Sequence, residues 1–176
     1  MGSDVRIISK CNIWGVDILI LVTLGTNDKT FIRLIKEVEK LIENGVITEK
    51  VVVQAGYTKY QTEKMEIFDL VSIEKMNELM ADCSVLITHG GVGSIISGLK
   101  NNKKVIAVPR LEKYKEHVND HQLQIVRNFD TAGYILGISD VEGLEDGLKK
   151  LDNFKPKKYE SNTLNMISLV RESIER

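Results

Sequence analysis

The chain has 176 residues, 43% of them hydrophobic, with 24 Lys+Arg against 25 Asp+Glu for a formal net charge of -1. That is the length of one domain with apolar side chains enough for a core, which excludes a disordered tail. The near-neutral balance excludes a protein whose main task is neutralising a nucleic-acid backbone. Two cysteines, Cys11 and Cys83, are too few for a disulfide framework or a four-thiolate zinc site. A reducing, cytoplasmic setting is the expectation.

No stretch reaches the ~18–20 uninterrupted apolar residues that span a bilayer. The most apolar one, Ile13 to Leu24, is broken by Gly15 and Asp17, and no small-residue cleavage site follows it. Residues 1–17 read as an N-terminal extension or expression scar, with no clear period. From Ile18, Ile-Leu-Ile-Leu-Val is a continuous apolar run, as in a strand buried on both faces of a parallel sheet. Gly25-Thr26-Asn27-Asp28 ends it. Phe31, Ile32, Leu34, Ile35, Val38, Leu41 and Ile42 then recur at helical spacing, closed by Gly45.

Val51-Val52-Val53 is a second buried strand, and Gly56 to Lys64 a polar loop with Tyr57 and Tyr60. Glu66 to Val71 reads as a short strand, and Ser72 as the cap of a helix carrying Ile73, Met76, Leu79 and Met80. Val85-Leu86-Ile87 is the next strand, stopped by Thr88-His89-Gly90-Gly91-Val92-Gly93-Ser94, and a short helix follows. Val105 to Val108 is a strand, Arg110 to Glu116 a charged loop, and His117 to Phe129 a helix. Tyr134 to Leu136 is the last strand, with a helix from Val141 to Leu151. A basic linker around Pro156 leads to an amphipathic helix, Asn162 to Glu175, which completes a tail of residues 152–176. Strands alternating with helices over residues 18–151 make an α/β, Rossmann-like parallel sheet with helices on both faces.

Ligands of such sheets bind beyond the carboxyl ends of the strands, at the point where strand order reverses. His89 to Ser94 is the strongest feature there. Its glycines allow close backbone approach, and the helix N-terminus offers unpaired N–H groups to an anion. The plainer reading is a tight turn that needs glycine for geometry alone. Gly25-Thr26 gains weight if the first and fourth strands are neighbours, since both turns then face one ligand. His117 and His121, four apart on a helix, would share a face, yet no third metal ligand accompanies them. Asp120 and Gln122 suit vicinal sugar hydroxyls. Cys83, Met76 and Met80 read as core.

Taken in order, Val22 to Thr26, Thr88 to Ser94, Val108-Pro109-Arg110 and Glu116 to Gln122 resemble the C-terminal, donor-binding half of glycosyltransferase family 28. The likeness covers Ile18 to about Leu151. It is strongest to small stand-alone subunits, the bacterial capsular and exopolysaccharide type and the eukaryotic type that adds GlcNAc to GlcNAc-diphosphodolichol. The resemblance implies half of a GT-B fold, with a partner supplying the other half. It implies a UDP-sugar donor whose diphosphate lies on Gly25, Thr26, His89, Gly90, Gly91, Val92, Gly93 and Ser94. Uracil and ribose would lie near Val71, Ser72, Ile73 and Ser97, the last standing where many members carry a ribose-binding glutamate. Arg110, Asp120, His121 and Gln122 would face the donor sugar.

The acceptor implied is a polyprenyl-diphosphate-linked saccharide in capsular or exopolysaccharide biosynthesis. The implied partner is a membrane-anchored N-terminal-half subunit, which would hold this chain peripherally on the cytoplasmic membrane face and supply the base. Glu116 is the local candidate for that base. No cofactor and no metal are expected, since no Asp-x-Asp motif is present and a helix dipole can serve the leaving group. Two alternatives remain: a non-catalytic enhancer or scaffold subunit of such a transferase, and a UDP-GlcNAc 2-epimerase-like enzyme, disfavoured by the chain's length.

Overall fold

The computed structural model describes residues 19–160. The extension with Cys11 and Trp14, and the amphipathic segment Asn162 to Glu175, lie outside the described residues. Strands β1 (Leu19–Thr23), β2 (Lys50–Gln54), β3 (Glu66–Phe68), β4 (Val85–His89), β5 (Lys104–Val108) and β6 (Leu136–Gly137) form one sheet in the order β3-β2-β1-β4-β5-β6. Every neighbouring pair is parallel. The helices are α1 (Ile32–Glu43), α2 (Ile73–Asp82), α3 (Val92–Lys100), α4 (His121–Thr131) and α5 (Leu144–Leu151).

The continuous apolar runs are explained by the two cores they divide between. Ile20, Val22, Val51, Val53, Ile87, Ile106 and Val108 face the core built with α1 and α5. Leu21, Val52, Leu86, Val105 and Ala107 face the other, built with Leu79, Met80, Cys83, Ile95, Leu99 and Val126 from α2, α3 and α4. Successive strand side chains point to opposite faces, so a strand covered on both sides must be apolar at every position. Gly98 lets α3 lie close on the sheet: a Cβ there would come within 2.6 Å of Leu86 Cδ2 and 2.8 Å of Val105 Cγ2.

Of the element boundaries that differ from the sequence expectation, three have a plain local cause. The helix expected from His117 begins at His121. Lys115 adopts a left-handed conformation with φ 58°, and the Asn119 Oδ1 accepts the His121 N–H at 3.1 Å, so 115–120 is an irregular loop. His117 and His121 therefore do not share a helix face, which removes the geometric basis for a histidine pair. The third strand stops at Phe68 rather than Val71, and Ser72 caps α2 by accepting the Lys75 N–H at 3.2 Å. The last strand is Leu136–Gly137, because Tyr134 is still bonded back to the end of α4 through the Phe129 carbonyl.

Candidate functional site

Between β1 and β4 the chain reverses its direction of growth across the sheet, which puts a crevice beyond their carboxyl ends. There a cleft of ≈ 360 Å³ is lined by Thr23, Gly25, Thr26, Gln54, Met76, Met80, His89, Gly91, Gly93, Ser94 and Ser97. Residues from three strand ends and two helices thus share one wall. Gly25-Thr26 and the His89 to Ser94 turn, separated by more than sixty positions in sequence, face the same space because β1 and β4 pair directly. Thr23 Oγ1 donates to Thr88 Oγ1 at 2.8 Å across that pair, tying the two strand ends together under the cleft.

His89 is the floor. Its ring lies between two glycines. A Cβ on Gly25 would stand 2.6 Å from His89 Cε1, and one on Gly91 would stand 3.0 Å from His89 Cδ2. Gly25 also has φ +78°, a conformation that favours glycine. Gly90 is required by the opposite side, where Gln122 Cβ stands 2.8 Å from the place of a Cβ. Three of the glycines are therefore accounted for by the protein's own packing. Gly93 is not: a Cβ there would meet nothing within 4 Å among the described residues. It lies in the first turn of α3, exposed and on the cleft wall.

The cap of α3 is Gly91, with no side chain to bond the first turn. The N–H groups of Val92, Gly93 and Ser94 have no partner one turn earlier in the helix, so their partial positive charge is directed out of the helix end. Ser94 adds a hydroxyl on the cleft wall. Burial, then the neighbouring Arg110 guanidinium and His117, lower the His89 pKa to about 4, against a hydrogen bond to the Thr23 backbone. The imidazole is thus neutral near pH 7. It can serve an anion as an N–H donor, not as a cation.

The loop after β5 reaches the same end of the sheet. The Arg110 N–H donates to Gln122 Oε1 at 3.1 Å, and the Glu112 N–H to Asp120 Oδ1 at 2.8 Å. Asp120 and His121 are exposed. Two of the sugar-site and catalytic expectations need correction. Arg110 is only 1% exposed, and its guanidinium is committed to main-chain carbonyls: Lys29 at 2.7 Å, Leu24 at 2.8 Å, Thr30 at 3.3 Å and Glu116 at 3.4 Å. Buried so, it presents no donor to a sugar in the cleft. Glu116 is buried, its oxygens holding Arg33 at 2.8 and 3.0 Å and the Leu111 N–H at 3.2 Å. A carboxylate so engaged is a brace for the loop, not a base open to an acceptor.

Gln54 was not anticipated. It closes β2 after three successive valines, is buried, and donates through Nε2 to the Asp69 carbonyl at 3.2 Å and the Gly25 carbonyl at 3.4 Å. The one signal for it was an amide ending an apolar run. Met76 and Met80 pack on the core as expected, and they also form a cleft wall. Ser72 and Ile73 sit at the start of α2, one turn before Met76, both exposed. Ser97 lies on the cleft wall one turn after Ser94. Among the described residues, no group of three or more His, Cys, Asp or Glu is arranged to hold a metal ion. No helix among them is long and apolar enough to cross a membrane.

Comparison with known proteins gives this crevice a family. A model for the glycosyltransferase family 28 C-terminal domain matches residues 19–176. The chain belongs to that family. Two curated relatives are named UDP-N-acetylglucosamine transferase subunit ALG13. The one from Candida albicans is 27% identical over 112 residues, 64% of this chain and 36% of the relative. The one from Candida glabrata is 35% identical over 82 residues, 45% of this chain and 39% of the relative. The matches thus span well under half the length of either.

Among solved structures, this family 28 domain is similar to the solution structure of ALG13, with TM-score 0.56 and 20% identity, covering 82% of this chain and 90% of that one. It is also similar to Acinetobacter baumannii MurG, at TM-score 0.53 and 13% identity over 89% of this chain and half of that one. A UDP-GlcNAc 2-epimerase of Methanocaldococcus jannaschii has TM-score 0.62 at 13% identity, over 92% of this chain and 47% of that one. These likenesses establish the fold: a Rossmann-like sheet matching the C-terminal half of GT-B glycosyltransferases.

Proposed function

We propose that this chain is the donor-binding subunit of an inverting UDP-sugar glycosyltransferase that extends a polyprenyl-diphosphate-linked saccharide in capsular or exopolysaccharide biosynthesis. The observation that carries the reading is the end of α3. A glycine that no packing among the described residues requires, Gly93, opens the helix's unpaired amides to the switch-point cleft. Family membership and the two relatives named transferase subunits support it.

In such a transfer the acceptor hydroxyl attacks the anomeric carbon, the bond to UDP breaks, and the hydroxyl proton passes to a base. Charge develops on the leaving diphosphate. The N–H groups of Val92, Gly93 and Ser94, the Ser94 hydroxyl and the neutral His89 ring would meet it with fixed dipoles. Uracil and ribose would extend past Ser97 toward Ser72 and Ile73, and Asp120, His121 and Gln122 would face the sugar. With Glu116 occupied by Arg33, the base is assigned to a partner, a membrane-anchored subunit that contributes the N-terminal half and keeps this chain on the cytoplasmic membrane face. The reaction so written needs no metal and no cofactor from this chain.

Calorimetric titration with UDP, then UDP-GlcNAc, UDP-Gal and UDP-Glc, tests the reading. Saturable UDP binding that His89→Ala and Ser94→Ala both weaken is expected. Absence of UDP binding both alone and with the co-expressed partner would favour a scaffold subunit instead.

A further inference from the structure

Arg110 is the anomaly of this fold. It is a large, fully buried cation, yet no carboxylate oxygen among the described residues lies within ion-pairing distance of it. Glu116 and Asp28 act on it only through space, and the Glu116 oxygens are taken by Arg33 and the Leu111 N–H. Arg33 in turn pairs with Asp140, which also holds Lys113 at 2.8 Å. What Arg110 receives instead is four main-chain carbonyls, from Leu24, Lys29, Thr30 and Glu116, and the face of Phe31 at 5.1 Å. Its Nε has no partner among the described residues. Burying a guanidinium without a directly paired carboxylate is costly, and the cost is tolerated where something else gains from the charge.

The charge lies directly behind the crevice. Arg110 follows β5 by two residues, and β5 pairs with β4 so that Val108 stands opposite His89. The carbonyl it grips at 2.8 Å belongs to Leu24, and the next residue, Gly25, rests against the His89 ring. The same guanidinium is among the causes that keep His89 neutral. We infer that Arg110 is a positioning residue of the donor site: without touching ligand, it fastens the loop after β1 to the loop after β5 and holds beneath the crevice a water-excluded positive charge whose counter-ion is the diphosphate of the bound nucleotide. The inference rests on the donor-site reading above. In a medium of low dielectric such a charge acts across a neutral imidazole with little screening.

The test uses the full chain, with UDP as the probe, and follows UDP affinity by calorimetry, the His89 pKa by NMR and thermal unfolding in Arg110→Met and Arg110→Lys. Arg110→Met is expected to bind UDP at least about tenfold more weakly and to raise the His89 pKa. Lysine keeps the charge but loses the five-donor fork. Arg110→Lys is therefore expected to unfold at lower temperature while keeping UDP affinity within about threefold and His89 neutral. Equal loss of UDP affinity in both variants overturns the role of the charge, as does a folded Arg110→Met that binds UDP like wild type. Should Arg110→Met fail to fold, Arg110→Lys decides: retained affinity and a low His89 pKa support the inference, and loss of either overturns it. A wild-type chain that binds no UDP either alone or with the co-expressed partner overturns the donor-site reading and this role together, an outcome distinct from either variant result.

Discussion

Gly93→Ala separates a glycine kept for the fold from a glycine kept for a ligand. The residue is helical, in the first turn of α3, and the added methyl would meet nothing within 4 Å. Replacing glycine by alanine in a helix reduces the entropy lost on folding and stabilises by ~0.5–1 kcal/mol. For a domain of this size that raises Tm by about 1–4 °C. The same methyl would stand where a phosphate oxygen must approach to accept the Gly93 N–H. Loss of one charged hydrogen bond costs about 1.5–3 kcal/mol, and ~1.4 kcal/mol is tenfold in affinity, so UDP should bind ten- to about a hundredfold more weakly. The variant should thus be more stable and bind worse.

Differential scanning calorimetry and UDP titration on the same preparation read both quantities. Gly98→Ala is the control, since its Cβ would strike Leu86 and Val105 at 2.6 and 2.8 Å. It should lose about 1–3 kcal/mol of stability to overpacking, with UDP affinity following the folded fraction. Gly93→Ala with unchanged UDP affinity would refute the assignment of the α3 N-terminus to the diphosphate. A fall in its Tm would refute the claim that the fold itself does not need the glycine.

Three more outcomes follow from burial and charge. His89 has a pKa of about 4 in the folded chain and near ~6.5 unfolded, so the unfolded chain binds the extra proton. Stability should therefore be full above pH ~6.5 and fall by up to ~3 kcal/mol as pH drops toward 4; urea titrations of wild type and His89→Gln should diverge across that window, and parallel curves would count against a buried neutral ring. Glu116→Ala leaves Arg33 to Asp140 alone and the Leu111 N–H without its acceptor, and should cost about 1–3 kcal/mol, seen as a lower urea midpoint, and an unchanged midpoint would contradict the brace. Burial pushes the Cys83 thiol up to about 11, so at pH 8 a thiol reagent should modify Cys83 only at the rate of unfolding, read by peptide mass mapping; rapid labelling of the folded chain would show the core open there.

The sequence by itself determined the layering. Runs such as Ile20-Leu21-Val22 and Val51-Val52-Val53 have no polar side to turn to water, so they can only be strands covered on both faces, and the 3.6-residue stripes between them are the covers. The glycine turns were legible too, because a strand that ends in Gly-Gly-x-Gly before a helix has few other conformations. What sequence could not decide was which groups meet. That Thr23 bonds Thr88, and that Gly25 and Gly91 enclose His89, depends on β1 pairing with β4, a contact between residues 65 positions apart.

The same limit governs the charged loop after β5. In one dimension, Arg110, Glu116 and Asp120 are all polar residues beside a ligand-binding run, with nothing to rank them. Tertiary packing separates them by burial: it covers Arg110 with the carbonyls of the β1 loop, gives Glu116 to Arg33 from α1, and leaves Asp120 at the surface. A polar side chain's role follows from whether water or protein satisfies it, and that is settled only when the distant segments close over it.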